Sequence, residues 1–422
     1  GFAGPTTCTG AELDVLAGGT FSGVPTCVVE AAQNQALNNA GAVNATDPNF
    51  KLPTINRYSI GIEHNTDFDS DFFSGWNVKA DFIYSDLNDS VEFLDLGLTQ
   101  TNTAPDGRPI YATVDPLITG CAASFNGIGK GYSGLVDACY GGLQHIIMTN
   151  RQGDDGYTLT ASIQASKMFE WGDGWMLNVG GGYAYNESEV GNPGNSFTAS
   201  GNFRAVVTDD LANSPVGGSY RNTPHNFTFR GTLEKDFIAD HTTSITAFLQ
   251  VREGHPLSLT YNRGFASGFG DSSGRARNLL YVPTGPTDPK VNFNMSAADT
   301  AAFFAFTDSL GLARGAIAPK GVLDEDWSTD LDIRIQQEIP FFGGSRVKLF
   351  LDIENFLNLI DSDNGVKRYV NTTDILSAVA VIDGSVASGA QTYNYDSFSP
   401  IVESADTLDS LYKIQLGIRG EF

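Results

Sequence analysis

Tyr412-Lys-Ile-Gln-Leu-Gly-Ile-Arg-Gly-Glu-Phe422 is the stretch whose pattern decides the fold. Tyr412, Ile414, Leu416, Ile418 and Phe422 fall on one side of an extended chain. Lys413, Gln415, Gly417, Arg419 and Glu421 fall on the other. Strict period two means a strand with one apolar and one polar face. Its length matches what a tilted strand needs to cross a bilayer, about 9–11 residues.

The pattern recurs upstream. Leu331, Ile333, Ile335 and Ile339 alternate with Asp332, Arg334, Gln336 and Glu338. Val347, Leu349, Leu351 and Ile353 alternate with Lys348, Asp352 and Glu354. Similar runs begin near Tyr58, Trp76, Tyr157, Trp175, Phe227 and Ile245, giving about nine long strands. Soluble sandwiches use strands of ~5–6 residues. Here the strands are longer, and their polar sides carry Arg334, Glu338, Lys348 and Asp352. Charge on an inward face suits a wet lumen, not a dry core.

Turn lengths alternate. Short turns fall at 67–75, 171–174, 238–241 and 340–345; long loops fall at 96–142, 188–221, 254–326 and 360–411. Transmembrane barrels have short periplasmic turns and long extracellular loops. Phe72, Phe73, Trp76, Trp171, Trp175, Phe237, Phe341, Phe342 and Phe422 gather at the short-turn side, as an interfacial girdle would. The fold class expected is therefore all-β: the C-terminal portion of a large transmembrane β-barrel. Residues 1–53 form an extracellular loop region, and 54–422 form barrel strands with their loops. Within the long loop 254–326, residues 296–310 read as a short helix, with Ser296 as N-cap and Asp299 three positions on.

The 422 residues include 47 glycines and 11% aromatics, and no run approaches the ~20 apolar residues of a membrane helix. A net charge of −24 argues against a nucleic-acid partner. Cys8 with Cys27, and Cys121 with Cys139, bracket two Gly-rich polar loops. Their spacing does not suit a metal knuckle, so two loop disulfides in an oxidising compartment are expected. His64, His145, His225, His241 and His255 are dispersed, and no catalytic motif appears, so no enzyme activity and no metal site are expected. Gly127-Ile-Gly-Lys-Gly131 reads as a flexible loop. Asp324-Glu-Asp326 and Asp361-Ser-Asp-Asn-Gly365 read as solvated loop charge; calcium there is the one cofactor the composition leaves open. Arg230, Arg252, Arg334 and Lys348 either line a conduit or pair across strands.

The segment ending at Phe422 resembles the assembly signal of outer-membrane proteins. Trp327-Ser-Thr-Asp-Leu-Asp-Ile-Arg-Ile-Gln-Gln-Glu-Ile339 and Val347-Lys-Leu-Phe-Leu-Asp-Ile-Glu-Asn-Phe-Leu-Asn-Leu-Ile360 resemble the last strands of TonB-dependent receptors of the Oar-like group. Phe50-Lys-Leu-Pro-Thr-Ile-Asn-Arg-Tyr-Ser-Ile-Gly-Ile62 and Tyr220-Arg-Asn-Thr-Pro-His-Asn-Phe227 are similar to that group as well. The resemblance implies a bacterial outer-membrane location, a 22-stranded barrel, a plug, a TonB contact and uptake of a scarce nutrient. No plug or TonB box is recognisable here. The sequence is thus expected to supply about nine strands, with the others and the plug coming from elsewhere. The rival expectations are an adhesion, anchoring or protein-export role through the surface loops, and a passive porin.

Overall fold

The computed structural model describes residues 43–142, 144–238, 241–341, 346–370, 378–386 and 392–421. Nine long strands form one antiparallel sheet in sequence order. They are β1 (Thr54–Asn65), β2 (Asn77–Asn88), β3 (Gly156–Trp171), β4 (Trp175–Val190) and β5 (His225–Ile238). The others are β6 (His241–Arg252), β7 (Ser328–Pro340), β8 (Arg346–Glu354) and β9 (Lys413–Glu421). The expected all-β class and large antiparallel sheet are present. The closing strand starts one residue later than the alternation suggested, and Phe422 lies outside the described residues.

Register carries the apolar pattern from strand to strand. Phe169, Leu177, Leu233, Ile245, Ile335, Leu351 and Leu416 are successive cross-strand partners from β3 to β9. The opposite face runs through Thr232, Thr246, Arg334, Asp352 and Gln415. Period two fixes this, since a slip of one residue would turn every apolar side chain to the wrong face. The last strand pairs with its predecessor, and β8 stops at Glu354. Asn355 then takes a left-handed conformation (φ 49°), and Phe356–Ile360 turns into a short helix.

The sheet is open. β1 and β9 each pair on one side among the described residues. Both run from the long-loop end to the short-turn end, so a direct β1–β9 seam would be parallel. An all-antiparallel closure needs an odd number of additional strands.

Four excursions leave the long-loop end, at 89–155, 191–224, 253–327 and 355–412. They contain more regular structure than the one short helix expected within the long loops. Together with Val43–Thr46 they build a folded cap. Val43–Thr46 and Val91–Asp95 flank His145–Asn150 in a three-stranded sheet. A second, five-stranded sheet runs Val291–Phe293, Tyr393–Phe398, Ala378–Ser385, Pro256–Tyr261, Leu323–Asp324.

The expected helix is present as Ala297–Ser309, where Ser296 Oγ accepts from the Asp299 amide (3.0 Å). It buries Phe303 and Phe304 against the five-stranded sheet, with Phe303 5.6 Å from Phe398 and 6.0 Å from Tyr395. The run 127–131, read as flexible, is the turn between Ser124–Phe125 and Tyr132–Ser133. Gly131 sits there at φ 63°, and a Cβ would collide with Thr99. Cys121 and Cys139 form the expected disulfide in this lobe. Cys8 and Cys27 lie outside the described residues.

The core sits in the cap. Tyr261, Phe265, Phe269, Tyr281, Phe303, Tyr393 and Tyr395 are its largest fully buried rings, and none belongs to the nine strands. One cluster joins Ile110 to Leu257, Tyr261, Val381 and Tyr395. A second joins Leu98 and Ile146 to Phe203 and Leu211, and a third joins Val207 to Leu279 and Ala378. Every excursion thus contributes to a shared interior.

Candidate functional site: two sheet faces beneath a cap

The apolar face is bare. Ile60, Ile62, Ile163, Phe229, Ile245, Ile414 and Ile418 are exposed, and Leu416 is 79% exposed. Monomeric soluble proteins seldom show apolar patches larger than a few hundred Å². Nothing among the described residues covers this one.

Aromatic rings border the face at both ends. At the short-turn end Trp171 stacks on Trp175 (6.3 Å) and Trp175 meets Phe237 edge-on (5.7 Å). Phe72 and Trp76 both pack on Phe169 (6.1 Å each). The clustering of these rings at the short-turn end is as expected from the sequence. Phe341 is exposed beside it, while Phe342 and Phe422 lie outside the described residues.

A second belt at the cap end was missed. Tyr84 stacks on Tyr157 (5.9 Å), Tyr183 packs on Phe227 (4.6 Å), and His225 stacks on Trp327 (5.9 Å). The Tyr157 and Tyr185 hydroxyls both donate to Glu187 (2.5 and 3.0 Å). Its sequence signal was available, since these tyrosines lie in the cap-side halves of their strands.

The polar face is built from hydrated charge. Arg334 grips Asp352 with two hydrogen bonds (2.5 and 2.6 Å). Lys348 meets Glu338 at 3.3 Å, and Lys79 meets Glu63 at 3.2 Å. Arg252 Nε donates to Ser328 Oγ (3.3 Å). Of the two roles left open for these charges, cross-strand pairing therefore describes Arg334 and Lys348. Arg230 differs: it is exposed, and its side chain makes no ion pair or hydrogen bond among the described residues. It stands beside a groove of about 300 Å³ whose floor is Gly180 and Gly182.

The cap is tied to the sheet through buried polar groups. Lys320 Nζ donates to the carbonyls of Val190 and Gly191 at the end of β4 (2.8 and 2.6 Å). Burial pulls its ammonium down to about 8. Arg151 pairs with Glu92 at 2.9 Å and also donates to Ser214 O. Arg277 clasps Asp271 (2.7 and 3.0 Å) and donates to Phe203 O (2.6 Å), joining the second and third excursions. Burial works to raise the Asp271 carboxyl, but the Arg277 charge overrides it and holds it below the ordinary value. Arg108 Nη1 donates to Leu279 O (2.7 Å).

The two acidic runs are structural members of the cap. Asp324 lies at the seam, where burial first and Glu253 second push its carboxyl up to about 6, against the opposing pull of His225. Glu325 accepts from the Val370 amide (3.1 Å), and Asp326 accepts from the Trp327 amide (2.9 Å). Asp361 accepts from the Asp363 amide (3.0 Å). Among the described residues no group of three His, Cys, Asp or Glu side chains is placed to hold a metal ion. No described helix is long and apolar enough to cross a membrane, which says nothing about strands.

Compared with known proteins, the chain matches no family model and no curated protein.

Proposed function

We propose that the nine strands are a sector of a transmembrane β-barrel in a bacterial outer membrane. We further propose that the barrel is a receptor of the TonB-dependent, Oar-like type that takes up a scarce nutrient. One observation carries the membrane reading: an apolar face runs through the register of nine strands, uncovered, with charged side chains such as Lys167, Lys235, Glu187 and Glu189 only toward its two ends, while the cross-strand ion pairs lie on the other face. Water would penalise that face at about 25 cal/mol per Å²; lipid would not. The spacing of the two aromatic belts supports it. From Trp175 to Tyr185 along β4, at ~3.4 Å per residue and the ~45° tilt of a membrane strand, the rise is ~24 Å. That matches the ~25 Å lipid-facing band of known barrels.

In this reading the polar face lines the lumen, and the cap stands on the extracellular side. Further strands cover the open edges of β1 and β9, because unpaired backbone cannot face hydrocarbon. The transport role rests on the resemblance of the strand segments to the Oar-like group. It is tested by deleting the gene, measuring growth on limiting nutrients with and without the inner-membrane energy complex, and assaying the membrane fraction. An uptake defect that depends on that complex is expected. Normal uptake of every nutrient tried, or a protein found in the soluble fraction, would sink the proposal.

The cap favours a second reading, adhesion or protein contact at the cell surface. Leu117, Phe125, Val136 and Tyr140 are exposed on the disulfide-bonded lobe, with Leu117 80% exposed. Replacing Leu117 and Phe125 by Ser separates the readings: lost surface attachment with intact uptake supports the second.

A further inference from the structure

Gly180-Gly-Gly182 occupies the centre of β4, a place where glycine is less stable than alanine because it gives up more backbone freedom. Gly180 and Gly182 both face the polar side, opposite Ser166 and Gln164 of β3 and Arg230 and Thr228 of β5. Neither has a positive φ that would require glycine. Nor does packing within this chain require it. A Cβ on Gly180 would come no closer than 3.5 Å to any neighbour, and one on Gly182 no closer than 3.4 Å. These are ordinary contacts.

Gly417, on the same face of β9, shows the contrast. There the Phe350 ring occupies the space a Cβ would need. That glycine is explained by its neighbour, as when an aromatic ring covers a strand glycine. The pair on β4 has no such cover and leaves the groove of about 300 Å³ open. Strand glycines of this kind mark a close approach by another backbone or a ligand.

We propose that the groove over Gly180 and Gly182 is a docking site for an extended polypeptide segment bearing a carboxylate, with its backbone against the glycines and its charge against Arg230. The proposal rests on the barrel reading, which makes this face a lumen wall. Two observations choose the occupant. The glycines alternate with the period of an extended chain, so the floor matches a backbone repeat of ~6.6–6.8 Å. Arg230 is the cation at the groove without an ion pair among the described residues, since Lys79 already meets Glu63. A guanidinium presents a planar fork that fits a carboxylate with two hydrogen bonds.

The experiment uses the full-length protein in native outer-membrane vesicles. A photo-cross-linking side chain replaces Thr228, which lines the groove, and the illuminated adduct is sequenced. The expected adduct joins a peptide segment containing Asp or Glu. Its yield should fall at least tenfold in Arg230→Glu and in Gly182→Leu, which fills the floor, and return only in part in Arg230→Lys, which keeps the charge but loses the fork. An adduct undiminished by both changes, an adduct to a segment without carboxylates, or no peptide adduct in the parent would overturn the proposal. Heat-modifiable migration on gels reports folding of each variant. Where it is retained, those failures condemn the docking site alone. Release of the parent protein by alkaline wash condemns the barrel reading and the proposal with it.

Discussion

Leu416 in the sheet and Leu257 in the cap are both strand leucines, yet Leu416 is 79% exposed and Leu257 is fully buried. The sheet places its apolar side chains in one layer and covers them with nothing of its own. The cap folds its apolar side chains inward from four separate excursions, as a soluble domain does. Polar groups follow the same division. Ion pairs on the sheet, such as Lys79 with Glu63, are open to water. Those in the cap, such as Arg277 with Asp271, are sealed from it. One chain thus contains a sheet with two unlike, uncovered faces and a cap with a buried interior.

The largest test of that contrast is the sealed pair. Arg277→Met leaves Asp271 buried and uncompensated, which costs ~3–5 kcal/mol. Hydrogen exchange should show the cap amides losing protection while β3–β7 keep theirs; equal loss in both regions would erase the distinction. Removal of the Cys121–Cys139 bond comes next. For a loop of this size the expected loss is ~3 kcal/mol, confined to the cap and read as faster proteolysis between 115 and 142.

Leu416→Arg asks which solvent the sheet meets. In a bilayer a midplane arginine costs ~2–4 kcal/mol, measurable by urea titration of the protein refolded in vesicles. A cost under ~0.5 kcal/mol would mean that Leu416 faces water.

Asp324 probes the seam. Its folded value of about 6 lies above the unfolded value of ~3.9. The folded state therefore keeps a proton that the unfolded state releases, and cap stability declines as pH rises from ~4 to ~6. Asp324→Asn should flatten that slope; an unchanged slope would assign it to other groups. The smallest effect is expected on the wet face. Asp352→Asn should cost ~1 kcal/mol or less, because Arg334 is half-exposed, and salt should shrink the difference further.

How much of this was legible in the sequence follows the same division. The nine strands, their faces and their alternating connections could be read because a long strand repeats one simple rule. The helix at 297–309 could be read because Ser296 and Asp299 mark its start. The cap could not. Its strands are two to eight residues long, too short for alternation to speak. Several pair across great sequence distance, and some in parallel: Val43–Thr46 with His145–Asn150, and Pro256–Tyr261 with Ala378–Ser385. Runs such as His145-Ile-Ile-Met-Thr-Asn150 hinted at strands but named no partner. The groove was half legible. Arg230 stood out as a lumen charge, but whether its neighbours would neutralise it depended on register.

The tie between Lys320 and the end of β4, with the clasp of Arg277 on the second excursion, has a mechanical consequence. Successive strands of the wall are lashed together above one rim by a packed interior, so that rim cannot fan open or slide strand past strand without breaking the interior first. The wall behaves as a stiff hoop segment there. In the transport reading, movement that admits or releases a cargo comes from something seated inside the wall, or from the free rim at the short turns.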